Sequence, residues 1–208
     1  MSKNRSGASV IQSSLDIKRW QQQPPTVVEV RPAHCPACGV GSCPVGGLIQ
    51  LQGHGLRERQ VRGPGGPEAP AVCVSVLARR YRCVPCGAVV IVVPREVRGR
   101  RVYSASAIGL ALALWGLLEV TAALVRQRVC PATILGDAAA TGWATLRRWA
   151  RDIAGGRLFT GVPGPPDPTA TLRRVAAGTA TALAARADPT TRALPDEHRA
   201  FLGAAHVA

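Results

Sequence analysis

Apolar positions change their spacing once along this chain. Between residues 33 and 98 they come in short runs cut by glycine and proline; from Ser104 they come in long stretches without proline. In the first block "GGLIQLQGHG", "AVCVSVLARRYRC" and "AVVIVVP" each predict a strand of β-branched residues bounded by turn formers. Val72, Val74 and Val76 alternate with Cys73, Ser75 and Leu77, the two-residue period of a half-buried strand. The insert "RGPGGPEAP" predicts a loop. In the second block "SASAIGLALALWGLLEVTAALVRQRV" predicts helix, and a new segment from Pro131 runs through "ATILGDAAATGWATLRRWARDI" to Gly155 and Gly156. "LFTGVPGPPDP" has linker composition, "TATLRRVAAGTATALAARA" predicts a short alanine-rich helix, and a weak tail follows. Residues 1–31 are polar, contain "QQQPP", and predict a loosely ordered arm with a short helix around 15–20.

Charge adds a partner class. Lys+Arg number 26 against 12 Asp+Glu, a net +14 carried almost wholly by arginine, since Lys3 and Lys18 are the two lysines. Such a balance points to an anionic partner, nucleic acid first and an acidic membrane surface second. An arginine-, alanine- and glycine-heavy chain also follows from a GC-rich genome. The opening "MSKNRSGASVIQSSLD" lacks the apolar core of a secretory signal. The expectation is a reduced, cytoplasmic protein, where paired cysteines serve metals more often than disulfides.

Two of the cysteine pairs match. "CPACG" holds Cys35 and Cys38, "CVPCG" holds Cys83 and Cys86, and 44 residues lie between the pairs. One tight C-x-x-C turn presents two thiolates to a metal, and the glycine after each second cysteine permits the positive φ that closes it. Two such knuckles flanking strand-like runs predict a structural zinc ribbon with Cys35, Cys38, Cys83 and Cys86 as ligands and no open coordination position. Cys43 and Cys73 have no C-x-x-C partner, and His34 and His54 read as loop or surface histidines.

Residues 132–153 fit a helix-turn-helix. With the turn at Ala140, Thr141 and Gly142, a first helix places Leu135 and Ala139 inward and Gly136 at the close contact. A second helix then turns Leu146, Trp149 and Ile153 inward. Ala144, Arg147, Arg148 and Arg151 fall on the opposite face, behind Trp143 and Thr145, the stripe of a helix entering the major groove. Ala140 stands where that turn favours glycine, and a plain amphipathic helix with a solvated basic face is the other reading.

Together "CPACG", "RRYRCVPCG", "RRVYSASAIGLALALWG" and "TGWATLRRWARD" resemble the N-terminal zinc-ribbon and helix-turn-helix region of bacterial insertion-sequence transposases, and more closely a stand-alone, transposase-like bacterial family. The resemblance covers roughly residues 33–157. It implies that Cys35, Cys38, Cys83 and Cys86 are ribbon ligands, that Trp143 to Arg151 form the recognition helix, and that double-stranded DNA is the partner, with a homodimer or a transposase in trans as further partners. Full transposases add a ribonuclease-H-like domain with three carboxylates. The 52 residues after Gly156 hold Asp167, Asp188, Asp196 and Glu197 scattered among prolines and alanines, so a non-enzymatic, nucleoid-associated protein is expected.

The expected fold is α+β. A polar arm (1–31) precedes a small β-rich zinc ribbon (32–99), an all-helical helix-turn-helix segment (100–157), and a Pro/Ala-rich linker with a flexible, weakly helical tail (158–208). Arg147, Arg148 and Arg151 are expected to read the major groove, with Arg79, Arg80, Arg82, Arg57, Arg59 and Arg62 on phosphates. The alternatives are a ribbon that contacts RNA or protein, and a single-span membrane protein through 105–125, whose one charge is Glu119.

Overall fold

The computed structural model describes residues 8–132, 135–136, 142–163, 167 and 169–207. The chain divides into two compact units, one of Met1–Gln60 with Ser75–Arg101 and one of Val61–Val74 with Val102–Ala208. Strands and helices both contribute, as expected, but the arm and the tail take different roles from those the sequence suggested.

The first unit is built on a four-stranded sheet in the order β1-β4-β3-β2. Its strands are β1 (Ser9–Gln12), β2 (Leu51–Pro64), β3 (Ala71–Cys83) and β4 (Val89–Val93). β4 lies between β1, parallel to it with Val10 opposite Ile91, and β3, antiparallel to it with Tyr81 opposite Val90. Val90, Ile91, Val92 and Val93 are all buried, the unbroken apolar run of a strand covered on both faces. β3 coincides with the predicted run "AVCVSVLARRYRC". Its burial is uneven: Val76 and Ala78 are sealed while Val72 remains exposed. β2 corrects the expected boundary at both ends. It starts after Leu48 and Ile49 and continues through "RGP" into what reads as loop.

The arm is not loose. β1 satisfies the free edge of β4, and α1 (Ile17–Gln22) follows, its first turn capped by Asp16 Oδ1 accepting from the Arg19 N–H at 2.8 Å. Trp20 is 1% exposed and its indole N–H donates to the Leu77 carbonyl at 2.9 Å. Two residues of β3 hold the chain after α1: Arg79 Nε donates to the Pro25 carbonyl at 2.5 Å and the Tyr81 hydroxyl to the Val27 carbonyl at 2.7 Å. A buried tryptophan and these side-chain bonds fix a segment whose composition suggested disorder.

In the second unit the apolar run from Ser104 is two helices, α2 (Ala105–Gly116) and α3 (Ala122–Val129). They are separated by a turn in which Glu119 takes φ +54. Ser104 Oγ caps α2 by accepting from the Ala107 N–H at 3.1 Å, and Thr121 caps α3. No described helix is long and apolar enough to cross a membrane. α2 is apolar all round because it is the core: α3, α4 (Ala144–Ala154), α5 (Leu172–Ala184) and α6 (Asp196–Ala204) all pack on it. The expected alanine-rich helix is α5, while the weak tail after it is corrected to a short 3₁₀ turn (Pro189–Thr191) and α6, with Val175, Ala176, Ala180, Leu183, Ala200 and Ala204 buried. Small residues make these contacts possible. A Cβ on Gly203 would stand 1.9 Å from the Leu183 carbonyl oxygen, and one on Gly109 2.7 Å from that of Ala200.

The expected first helix of a helix-turn-helix is not supported where it can be followed. Leu135, read as inward, is 81% exposed, and Gly136, read as the close helix contact, has φ +70 with open space around it. Ala139, Ala140 and Thr141 lie outside the described residues.

Gly203→Ala drives a Cβ into backbone and is expected to cost at least about 1–3 kcal/mol. Gly178→Ala, at an open position of α5, is expected to add about 0.5–1 kcal/mol by removing a helical glycine. Urea unfolding of both variants tests the contrast.

Candidate metal centre

The same turn is made twice. In the first knuckle the Gly39 N–H donates to the Cys35 carbonyl at 2.8 Å and the Cys35 N–H to Val40 at 2.9 Å; in the second Gly87 donates to Cys83 at 2.9 Å and Cys83 to Ala88 at 2.9 Å. Both glycines take positive φ, +76 at Gly39 and +71 at Gly87, where a side chain would be strained. The Val84 N–H donates to the Gln50 carbonyl at 2.9 Å, tying the entrance of β2 to the second knuckle.

The turns bring four sulfurs together, each within 4.8 Å of all the others. Cys35 Sγ lies 3.8 Å from Cys86 Sγ, and Cys38 Sγ 3.7 Å from Cys83 Sγ. These are too long for a disulfide bond of about 2.05 Å. They match the edge of about 3.8 Å expected for a tetrahedron of sulfurs each about 2.3 Å from a central ion. Cys35 and Cys83 are buried and Cys38 and Cys86 exposed, so the cluster has a sealed side and a side open to solvent. This donor set could hold a metal ion.

The thiols differ in acidity. Burial raises Cys35, but N–H groups of Ala37 and Cys38 and the neighbouring thiols more than offset it, lowering it to about 7. At Cys83 burial dominates and pushes the thiol up to about 12, despite the Cys86 N–H. A ligating thiol must lose its proton, so metal entry expels protons and acid opposes it.

The other predicted residues divide by exposure. Arg147, Arg148, Arg151 and Ala144 are exposed on α4 and Thr145 half-buried, while Leu146, Trp149, Ala150 and Ile153 are buried beneath them. Trp143, expected on the nucleic-acid side, is instead core. Its ring lies edge-on to Tyr103 at 5.7 Å and to Trp149 at 5.0 Å. On the strands Arg57 and Arg82 are exposed and Arg80 half-buried. Arg79 is engaged with Pro25, and Arg59 Nη2 donates to the carbonyls of Arg98 and Arg101 at 2.5 and 3.2 Å. The Arg62 backbone bonds Val102 and Ser104, and its side chain bonds Tyr103. Sequence reasoning missed the exposed apolar loop Val45, Leu48 and Ile49 beside the first knuckle. The turn residues Pro44, Gly46 and Gly47 were its signal.

Two outcomes are expected. Cys83→Ser abolishes stoichiometric metal while Cys73→Ser, outside the cluster, retains it, as elemental analysis of purified protein would read. Metal affinity falls as pH drops through neutrality, by about tenfold or more per unit, since Cys83 holds its proton up to about 12 and Cys38 is raised as well; competition with a chromogenic chelator measures the slope.

No protein-family model, curated protein or solved structure matches this chain.

Proposed function

We propose that this chain is a zinc-stabilised, non-enzymatic protein that binds double-stranded DNA. Zinc is the ion of choice for four thiolates at single-ion spacing, and a four-cysteine set leaves no position for substrate or catalytic water. Its role is to hold the strand-rich unit together.

The observation that carries the reading is α4. Leu146, Trp149, Ala150 and Ile153 are buried while Arg147, Arg148 and Arg151 stand exposed, none of the three with an ion pair or side-chain hydrogen bond among the described residues. Arginine presents a planar fork that suits guanine edges and phosphates alike. In this reading α4 is the recognition helix of a transposase-like module and enters the major groove. Arg57, Arg80 and Arg82 hold phosphates, whereas Arg59 and Arg79 serve the fold through backbone carbonyls.

Arg147→Ala is expected to relax sequence preference by about 1–3 kcal/mol. Arg82→Ala is expected to weaken all duplexes alike and to lower the salt slope by about one. Titration of selected and scrambled duplexes at several salt concentrations separates the two. Equal affinity of wild type and both variants for every duplex overturns the assignment.

A further inference from the structure

The loop between Cys43 and β2 is an apolar tip on a hydrogen-bonded turn. The Gly47 N–H donates to the Pro44 carbonyl at 3.0 Å and Gly46 takes φ +70, a type II turn that places Val45 at its apex. Its base is tied to the first knuckle: the Gln50 N–H donates to the Ser42 carbonyl at 2.8 Å, and Gln50 Nε2 to the Leu48 carbonyl at 3.1 Å. Val45 is fully exposed and Leu48 83% exposed, placing both among the three most exposed large apolar side chains described. Val84, also exposed, adjoins them through its bond to Gln50.

The segments that carry this tip are basic in sequence, with Glu29 and Glu58 at their borders. Residues 30–57 and 69–95 contain no Asp or Glu, and they supply Arg57, Arg80 and Arg82. An exposed apolar point whose base is bonded to Val84, two residues after the exposed Arg82, complements a partner that is anionic outside and apolar within. Duplex DNA has that construction, phosphates around stacked bases.

We propose that the 44–49 loop is a wedge that enters a base step of duplex DNA from the minor groove. Val45 and Leu48 part the stack while Arg82 holds a flanking phosphate. Apolar side chains on architectural proteins unstack and kink DNA in this way, and pyrimidine–purine steps yield most easily. The turn fixes the tip before binding, so little conformational freedom is lost on insertion. This inference rests on the DNA-binding reading and adds to it a preference for deformable steps that no base-edge contact supplies.

The test uses the full, metal-loaded chain with end-labelled duplexes for energy transfer and a fluorescent purine analogue at a TA step. Wild type is expected to bend the duplex by roughly 20–90° and to brighten the analogue. The double variant Val45→Ser with Leu48→Ser, changed at exposed positions and checked for unaltered metal content, is expected to bind more weakly with the same salt slope, leaving the duplex straight and the analogue quenched. Binding by wild type without bend or brightening overturns the wedge and leaves the DNA reading standing. Failure to bind any duplex overturns both. A bend that survives in the double variant, or preference of wild type for phosphatidylserine vesicles or single-stranded RNA over duplex, also overturns it.

Discussion

Four sulfur atoms at near-equal separation set the terms for the strand-rich unit. Their positions follow from one turn made twice, and the pairs are 44 residues apart in sequence, so their convergence closes a long loop. A shared ion would act there as a cross-link, removing freedom from the unfolded chain. Such a staple suits the unit because in its sheet only β4 is buried from Val90 to Val93, with a modest core around Trp20 and Tyr81. β2 and β3 reach their knuckles already paired, and the loop at 44–49 inherits its fixed base from the same arrangement.

What was legible in the sequence is what depends on near neighbours. Each knuckle announces itself within five residues, and β3 shows its extent through alternation and its closing cysteine. The arm was illegible because its order comes from distant partners: Ser9 to Gln12 pair with Val90 to Val93, and Trp20 bonds Leu77. The helix α5 was legible, but α6 and the packing of both on α2 were not, for another reason. Alanine and glycine carry little hydrophobic signal, yet they let α5 and α6 approach α2 closely enough to bury all three helices. Trp143 was misplaced because its partner, Tyr103, lies in a different sequence segment.

The arginines show why counting charge overstates what a surface offers. Arg59, Arg79, Arg128 and Arg186 each donate to backbone carbonyls of the fold. Arg128 alone holds the Ala69 and Pro67 carbonyls at 2.7 and 2.5 Å. A guanidinium has several donors in one plane and can close a loop while remaining charged. The outward groups of α4 and of β3 near Cys83 form a smaller, separate set, distinguished only once the carbonyl clamps are known.

The place of α2 in the chain shapes how the helical unit must be made. A ribosome delivers α2 well before α5 and α6, the helices that cover it. Until those arrive, only α3 and α4 are there to cover a helix greasy on every side, and its exposed faces invite chaperones or aggregation. Assembly of that unit is therefore a late event in biosynthesis, and early termination would cost far more than the missing residues.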